Sequence, residues 1–239
     1  MATETSDRGI ATIFGLFFAG TFLFSIPALA FYGPLLTDPA YVLRSGPTTR
    51  VSAGAFSEIL LAICNVATAL VVYPVLRRVG AAASLGYVAV RIVESLLILS
   101  GVAALMSMVT LRSAAMPGAD ADAMKAVGQG LLAFHAWTFL LGPQFCAGLG
   151  NGVLLGTLMY RSKLVPPRMA MIGMVGGPLA FAGGALVLFG VLEPMSRGLF
   201  MLTVLEIAWE LSVTYYALRY GFRADSESHV AHTRDPALP

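Results

Sequence analysis

The chain of 239 residues is far more apolar than a soluble domain of that length. Hydrophobic residues make up 57% of it, charged residues only 12%, and the mean hydropathy is +0.79, whereas soluble domains carry about 25% charged residues. These values exclude a soluble globular domain and predict an all-α, polytopic membrane bundle with the lipid bilayer as its partner. A formal net charge of +2 without any basic block excludes nucleic acid as a partner.

The first apolar run, Ile10–Tyr32, contains no charged residue and predicts a membrane span after a polar lead of residues 1–9. Ala28-Leu29-Ala30 is typical of a signal-peptidase site, so cleavage is an alternative. The run is longer than the apolar part of a signal peptide, and we therefore expect a retained span. Residues 33–50 contain three prolines and are expected to form a loop.

Five further apolar runs predict the remaining spans, which gives six within a transmembrane domain of residues 10–223. Their predicted bounds are Ala53–Leu76, Ala81–Leu111, Val127–Tyr160, Met169–Leu192 and Gly198–Leu218. Residues 112–125, with Pro117-Gly118 as a turn signal, are expected to form a loop or short surface helix, and residues 161–168 a basic hairpin loop. We expect residues 224–239 to be a disordered polar tail.

The fourth predicted span contains two features that disturb a regular helix. Pro143 lacks a backbone donor and is expected to kink the helix near its middle. Gly148, Gly152 and Gly156 follow at four-residue spacing, which favours close approach of another membrane helix. This glycine face predicts tight packing and is also a candidate oligomer contact.

The basic residues outside the spans predict the orientation. Nine lie on the side of the amino end, the second and fourth loops and the tail, and five lie on the other side. Because short cytoplasmic loops are enriched in lysine and arginine, both termini are predicted to be cytoplasmic, in the cytoplasmic membrane of a prokaryote.

Six ionisable side chains within the predicted spans form the candidate site. They are Arg91, Glu94, Glu206, Glu210, Glu58 and His135. Arg91 and Glu94 share one helix face and are costly at membrane depth unless partnered. If the third and sixth spans are neighbours, we expect Arg91 to pair with Glu210 first and with Glu94 second, while Glu94 lies level with Glu206.

Four carboxyl groups face one arginine in these spans, so their charges cannot all be compensated. We therefore expect at least one of Glu94, Glu206 and Glu210 to be protonated near pH 7, with Glu206 favoured. Glu58 and His135 are expected nearer the outside, with His135 as a hydrogen-bonded interface residue rather than a ligand.

The remaining polar and reactive residues predict structural roles. Asn65, Gln144 and Asn151 are expected to form interhelical hydrogen bonds. Cys64 and Cys146 both lie in apolar runs and are expected to be free thiols. No metal, nucleophile or nucleotide motif is present, so we expect no cofactor and an enzyme is the least favoured class.

Three stretches together resemble a family of bacterial and archaeal multi-pass membrane proteins of the DUF4386 type, a domain of unknown function. They are residues 87–97 with Arg91-x-x-Glu94, the basic loop of residues 158–166 followed by Ile172-Gly173, and Glu206 with Tyr220-Gly221-Phe222 after it. Pro167-Arg168 departs from the family's pattern of a basic and then an aromatic residue. The resemblance implies a helical membrane fold and no established activity.

Two classes of function remain open on the sequence. In one, the polar cluster binds or carries a small solute or protons. In the other, the protein is a structural or regulatory membrane subunit whose polar residues fix helix packing. Broken helices beside Pro143 and Pro178 favour the first class, whereas the lack of an internal repeat favours the second.

Overall fold

A computed structural model describes the backbone of residues 2–113 and 120–223 and the side chains from residue 8 onward, except that of Pro34. Its secondary structure in these ranges is entirely helical, and six helices are long and apolar enough to cross a membrane. Their bounds are α1 Ala2–Tyr32, α2 Thr49–Leu76, α3 Ala81–Ser113, α4 Ala121–Ser162, α5 Pro167–Leu188 and α6 Arg197–Tyr220. The prediction of six helices able to span a membrane is therefore confirmed.

Local sequence signals explain where several helices begin and end. α4 begins after Asp120, whose Oδ1 accepts hydrogen bonds from the backbone amides of Asp122 and Ala123 at 2.9 and 3.3 Å. α6 begins after Ser196, whose Oγ accepts from the amide of Leu199 at 3.3 Å. α5 ends at Leu188, four residues earlier than predicted.

The connection between α1 and α2 is more ordered than the predicted loop. It contains two short 3₁₀-helices, Gly33–Thr37 and Pro39–Leu43, which we call the cap. Leu35 and Val42 of the cap are fully buried against Tyr32 and Met124. The predicted turn at Pro117-Gly118 and the predicted tail of residues 224–239 lie outside the described residues.

α4 changes its helical type halfway along its length. It is α-helical over Ala121–Phe139, becomes π-helical over Leu140–Cys146 and Gly148–Leu155, and is α-helical again over Gly156–Ser162. The predicted interruption at Pro143 therefore takes the form of wider turns. A π-helix bonds residue i to residue i+5, and such stretches occur frequently at functional sites.

The six helices form a ring in chain order, which α1 and α6 close. α4 contacts both α3 and α6, whereas α3 and α6 share no substantial contact. Two apolar clusters fill the ring at different heights. One is built around Phe14, Leu76 and Trp209, the other around Tyr32 and Met108, and the buried polar side chains of α2 and α3 lie between them.

The glycine face of α4 packs against α5 of the same chain. A β-carbon placed on Gly148 would lie 2.8 Å from the carbonyl oxygen of Gly177, and one on Gly177 would lie 2.7 Å from Cα of Gly152. A β-carbon on Gly156 would lie 3.1 Å from the backbone nitrogen of Met174. The expected close packing is present, but α5 covers this face, so a second copy of the chain would have to contact another surface.

Candidate functional site

Arg91 is held in a closed hydrogen-bonded network at the middle of α3. Its Nη1 donates to Oε2 of Glu94 at 2.7 Å, and its Nη2 donates to Oδ1 of Asn65 at 2.6 Å. The amide nitrogen of Asn65 donates to Oε1 of Glu94 at 3.2 Å, which completes the triangle. All three side chains are at most 4% exposed. The triangle joins α2 to α3 and neutralises one positive and one negative charge within the membrane.

The structure corrects the predicted partner of Arg91. Its salt bridge is with Glu94, and among the described residues Glu210 forms no salt bridge. The physical reason is that α3 and α6 are not neighbours, because α4 lies between them. The preference for Glu210 over Glu94 is therefore wrong.

Asn151 of the π-helical segment bridges α3 and α6 in place of that salt bridge. Its Nδ2 donates to Oε1 of Glu210 at 2.5 Å, and its Oδ1 accepts from the hydroxyl of Tyr87 at 3.2 Å. The indole of Trp209 donates to the backbone carbonyl of Asn151 at 2.8 Å. Asn151 therefore fixes the position of the Glu210 carboxyl group through a hydrogen bond that either protonation state of that group can accept.

Glu206 lies one turn from Glu210 in a different environment. It is 3% exposed, and neither carboxyl oxygen has a hydrogen-bond partner. Glu206 packs directly against glycines of α4 and α5. A β-carbon on Gly152 would lie 2.5 Å from its Oε2, and one on Gly176 would lie 2.7 Å from its backbone nitrogen. A carboxylate at this position would be buried without a compensating charge or donor, which is strongly unfavourable.

Glu58 and His135 lie apart from this group, nearer the cap. The hydroxyl of Tyr32 donates to Oε2 of Glu58 at 2.7 Å. The ring of Tyr32 also meets the ring of His135 edge to face, with centroids 6.1 Å apart. We call Tyr32, Glu58 and His135 the outer cluster. The candidate residues therefore fall into two groups rather than one.

A partly open cavity of about 180 Å³ is lined by residues of α1, α2, α3, α4 and α6. Its polar wall is formed by the charged and amide side chains of Arg91, Glu94, Asn65, Asn151 and Glu210, with the hydroxyl side chains of Thr21 and Ser25 on α1. It extends along α4 from Phe139 to Asn151, so the π-helical turns form one side of it. By comparison, an apolar cavity of roughly 150 Å³ holds a benzene molecule. The cavity is therefore large enough for a solute of about that size or for several water molecules.

Sequence reasoning identified most of these residues but missed two. The interhelical hydrogen bonds predicted for Asn65, Asn151 and Gln144 are confirmed, the last from its Nε2 to the carbonyl of Ala180 at 2.7 Å. Tyr32 and Tyr87 were not singled out, although each donates its hydroxyl to a polar residue of another helix. The only available signal was the position of Tyr87, one turn before Arg91.

Two further sequence predictions concern the cysteines and metal binding. The two cysteines are free thiols, as predicted. In the part of the chain that the structure describes, no group of three or more histidine, cysteine, aspartate or glutamate side chains lies close enough to hold a metal ion.

The fold and the buried charges define a multi-pass membrane protein with a polar cavity between its helices. The family model for a domain of unknown function, DUF4386, matches residues 13–221, and the chain belongs to this family. No curated protein and no solved structure matches the chain.

Proposed function

We propose that this protein binds a small polar solute in the central cavity and that binding is linked to proton uptake or release. The observation that carries the proposal is the cavity itself, which brings one arginine, two carboxyl groups and two amides to a single space of about 180 Å³. Buried polar groups of this density are costly in a membrane and mark solute or proton sites. The π-helical turns of α4 favour the same interpretation, because such stretches occur frequently at functional sites.

Charge balance is the reason for the link to protons. If Glu94, Glu206 and Glu210 were all ionised beside Arg91, the group would carry a net charge of −2 deep in the bundle. Arg91 and Glu94 neutralise each other directly, which leaves Glu206 and Glu210 without a cation. We propose that Glu206 is protonated near pH 7 because its oxygens have no donor at all. Glu210 lines the cavity. Its carboxyl group can therefore exchange a proton with a solute or with water there.

The protein is further proposed to lie in the cytoplasmic membrane of a prokaryote with both termini in the cytoplasm. The nine-to-five distribution of basic residues supports this orientation.

A thermal-shift screen of small polar solutes on the purified protein, repeated from acid to neutral pH, tests the binding proposal. A true ligand at about 100 times its Kd should stabilise the protein by about 2.7 kcal/mol. The stabilisation should be lost in Glu210→Gln and retained in Glu193→Gln, a matched change at an exposed loop position. Glu206→Gln should fold normally and, because it removes the acid one turn from Glu210, should shift the pH dependence of binding. Uptake into sealed vesicles would then show whether the bound solute is carried across.

The second candidate is a structural or regulatory membrane subunit. The closed triangle of Asn65, Arg91 and Glu94 favours it, because every charged atom there is already partnered within the chain. On this alternative Glu206→Gln is silent at every pH, and no solute shifts the melting temperature.

A further inference from the structure

The outer cluster is separated from the central cavity by a thin apolar layer. At the end nearest the cap, the cavity is lined by the apolar side chains of Leu61, Ile98 and Phe139 on α2, α3 and α4, with Ser25 on α1 beside them. Glu58 lies one turn from Leu61. His135 lies one turn from Phe139, and the rings of His135 and Phe139 are stacked with their centroids 6.5 Å apart. The outer cluster therefore lies about one helical turn beyond this end of the cavity.

Glu58 is a buried acid that no cation compensates. It is 4% exposed and, in the described ranges, takes part in no salt bridge. The titratable groups packed at this level are Tyr32 on α1 and His135 on α4, while α3 contributes Gly101. The sequence of α3 contains no charged residue between Glu94 and Arg112. A single carboxyl group with one neutral donor is typical of a site that gains and loses a proton.

The cap closes the outer cluster on its other side. Leu35 and Val42 of the cap pack in one apolar cluster with Tyr32, Leu105 and Met108. The outer cluster therefore lies between two apolar barriers, the cap on one side and the layer of Leu61, Ile98 and Phe139 on the other. A site closed on both sides in this way is expected to be an internal proton-binding site along a path rather than a site on the protein surface.

We propose that Glu58, which accepts a hydrogen bond from Tyr32, is a proton-relay site through which protons reach the central cavity from the cap side. This proposal rests on the proposed function of the cavity. A proton enters as a hydronium ion and binds to Oε1 of Glu58, leaving water behind. Oε2 keeps its hydrogen bond from Tyr32. The proton then leaves Glu58 for water in the cavity and ends on the Glu210 carboxylate, so Glu58 returns to its ionised form.

The distance to the cavity suits a short chain of water molecules. Glu58 and Asn65 lie on one stripe of α2, seven residues apart, which is roughly 10.5 Å at 1.5 Å per residue. Since hydrogen-bonded oxygens lie about 2.8 Å apart, about three water molecules span that gap. Leu61, Ile98 and Phe139 would have to move to admit them.

Infrared spectroscopy measures the route without any solute. The purified protein is transferred from H₂O to D₂O, and the rate at which the protonated carboxyl bands shift is recorded. The protonated carboxyl band that is absent from the spectrum of Glu210→Gln belongs to Glu210 and reports proton exchange in the cavity. In Glu58→Gln this band should exchange at least tenfold more slowly than in the wild type, because an amide cannot relay the proton. Glu193→Gln should exchange at the wild-type rate.

A second variant keeps the test decisive if Glu58→Gln does not fold. Tyr32→Phe removes only the hydroxyl that holds Glu58, and it should slow exchange by about threefold or more. Tyr215→Phe, at an exposed position on α6, serves as its control. An unchanged rate in the folded variant would overturn the relay, whereas a positive solute screen would leave the cavity proposal standing. If the wild type shows no protonated cavity carboxyl at any pH, the proton link and the relay both fail.

Discussion

Replacing Arg91 by methionine should destabilise the protein chiefly by stranding the carboxylate of Glu94. Arg91 is 2% exposed, and methionine fills part of its volume but donates no hydrogen bond. Removing one member of a buried ion pair costs roughly 3–5 kcal/mol. The stranded carboxyl group can instead take up a proton, which at pH 7 costs roughly 3.7 kcal/mol for an ordinary glutamate with a pKa of about 4.3. We therefore expect a loss of about 3–4 kcal/mol at pH 7.

This cost should depend on pH, and its sign follows from proton binding. In the variant, the folded state holds one more proton than the unfolded state between about pH 4.3 and pH 7. The free energy of unfolding therefore rises as the pH falls, by about 1.4 kcal/mol per unit. At pH 6 the loss relative to the wild type should be roughly 2.3 kcal/mol, because the cost of protonating Glu94 is about 1.4 kcal/mol smaller than at pH 7.

A double-mutant cycle with Glu94→Gln isolates the pair. Equilibrium unfolding in mixed micelles can be followed by the fluorescence of the buried Trp209, after the only other tryptophan, Trp137, is changed to phenylalanine. The stability lost in the double variant, Arg91→Met with Glu94→Gln, should be smaller than the sum of the losses in the two single variants by about 2 kcal/mol or more. Arg168→Ala, at an exposed position, should change stability by less than about 0.5 kcal/mol. A coupling energy near zero between positions 91 and 94 would refute the stabilising role of the ion pair between Arg91 and Glu94.

Three further predictions concern topology, packing and the bridge of Asn151. Reporter fusions should read external after Arg44 and Arg112 and cytoplasmic after Arg78 and Arg223; an external reading after Arg223 would contradict the orientation. Gly177→Ala should destabilise the protein by more than about 2 kcal/mol, since its β-carbon would lie 2.7 Å from Cα of Gly152. Gly130→Ala, whose β-carbon would have nothing within 4 Å, should stabilise the protein by about 0.5–1 kcal/mol. Equal effects of the two changes in a melting assay would rule out the close packing of α4 against α5. Asn151→Leu should cost about 1–3 kcal/mol in the same assay by leaving Tyr87 and Glu210 unpartnered, and a neutral result would remove the bridge.

The number and approximate bounds of the spans could be predicted from the sequence. A membrane span is a local property, because every apolar residue in it gains independently from contact with lipid, and roughly 20 in succession are enough. Arg91 and Glu94 were identified for the same reason, since charges stand out within such a run. The close approach at Gly148, Gly152 and Gly156 could also be predicted, because only small residues let two helix backbones come together.

The partners of the buried charges were decided only by the tertiary structure. Whether Arg91 meets Glu94 or Glu210 depends on which helices are adjacent, and α4 lies between α3 and α6. The pairing of Tyr32 with Glu58 likewise depends on the packing of α1 against α2. Composition fixes how many charges need a partner, because the bilayer supplies none. Which partner each one finds is set by distances between segments far apart in the chain, and no local pattern records those distances.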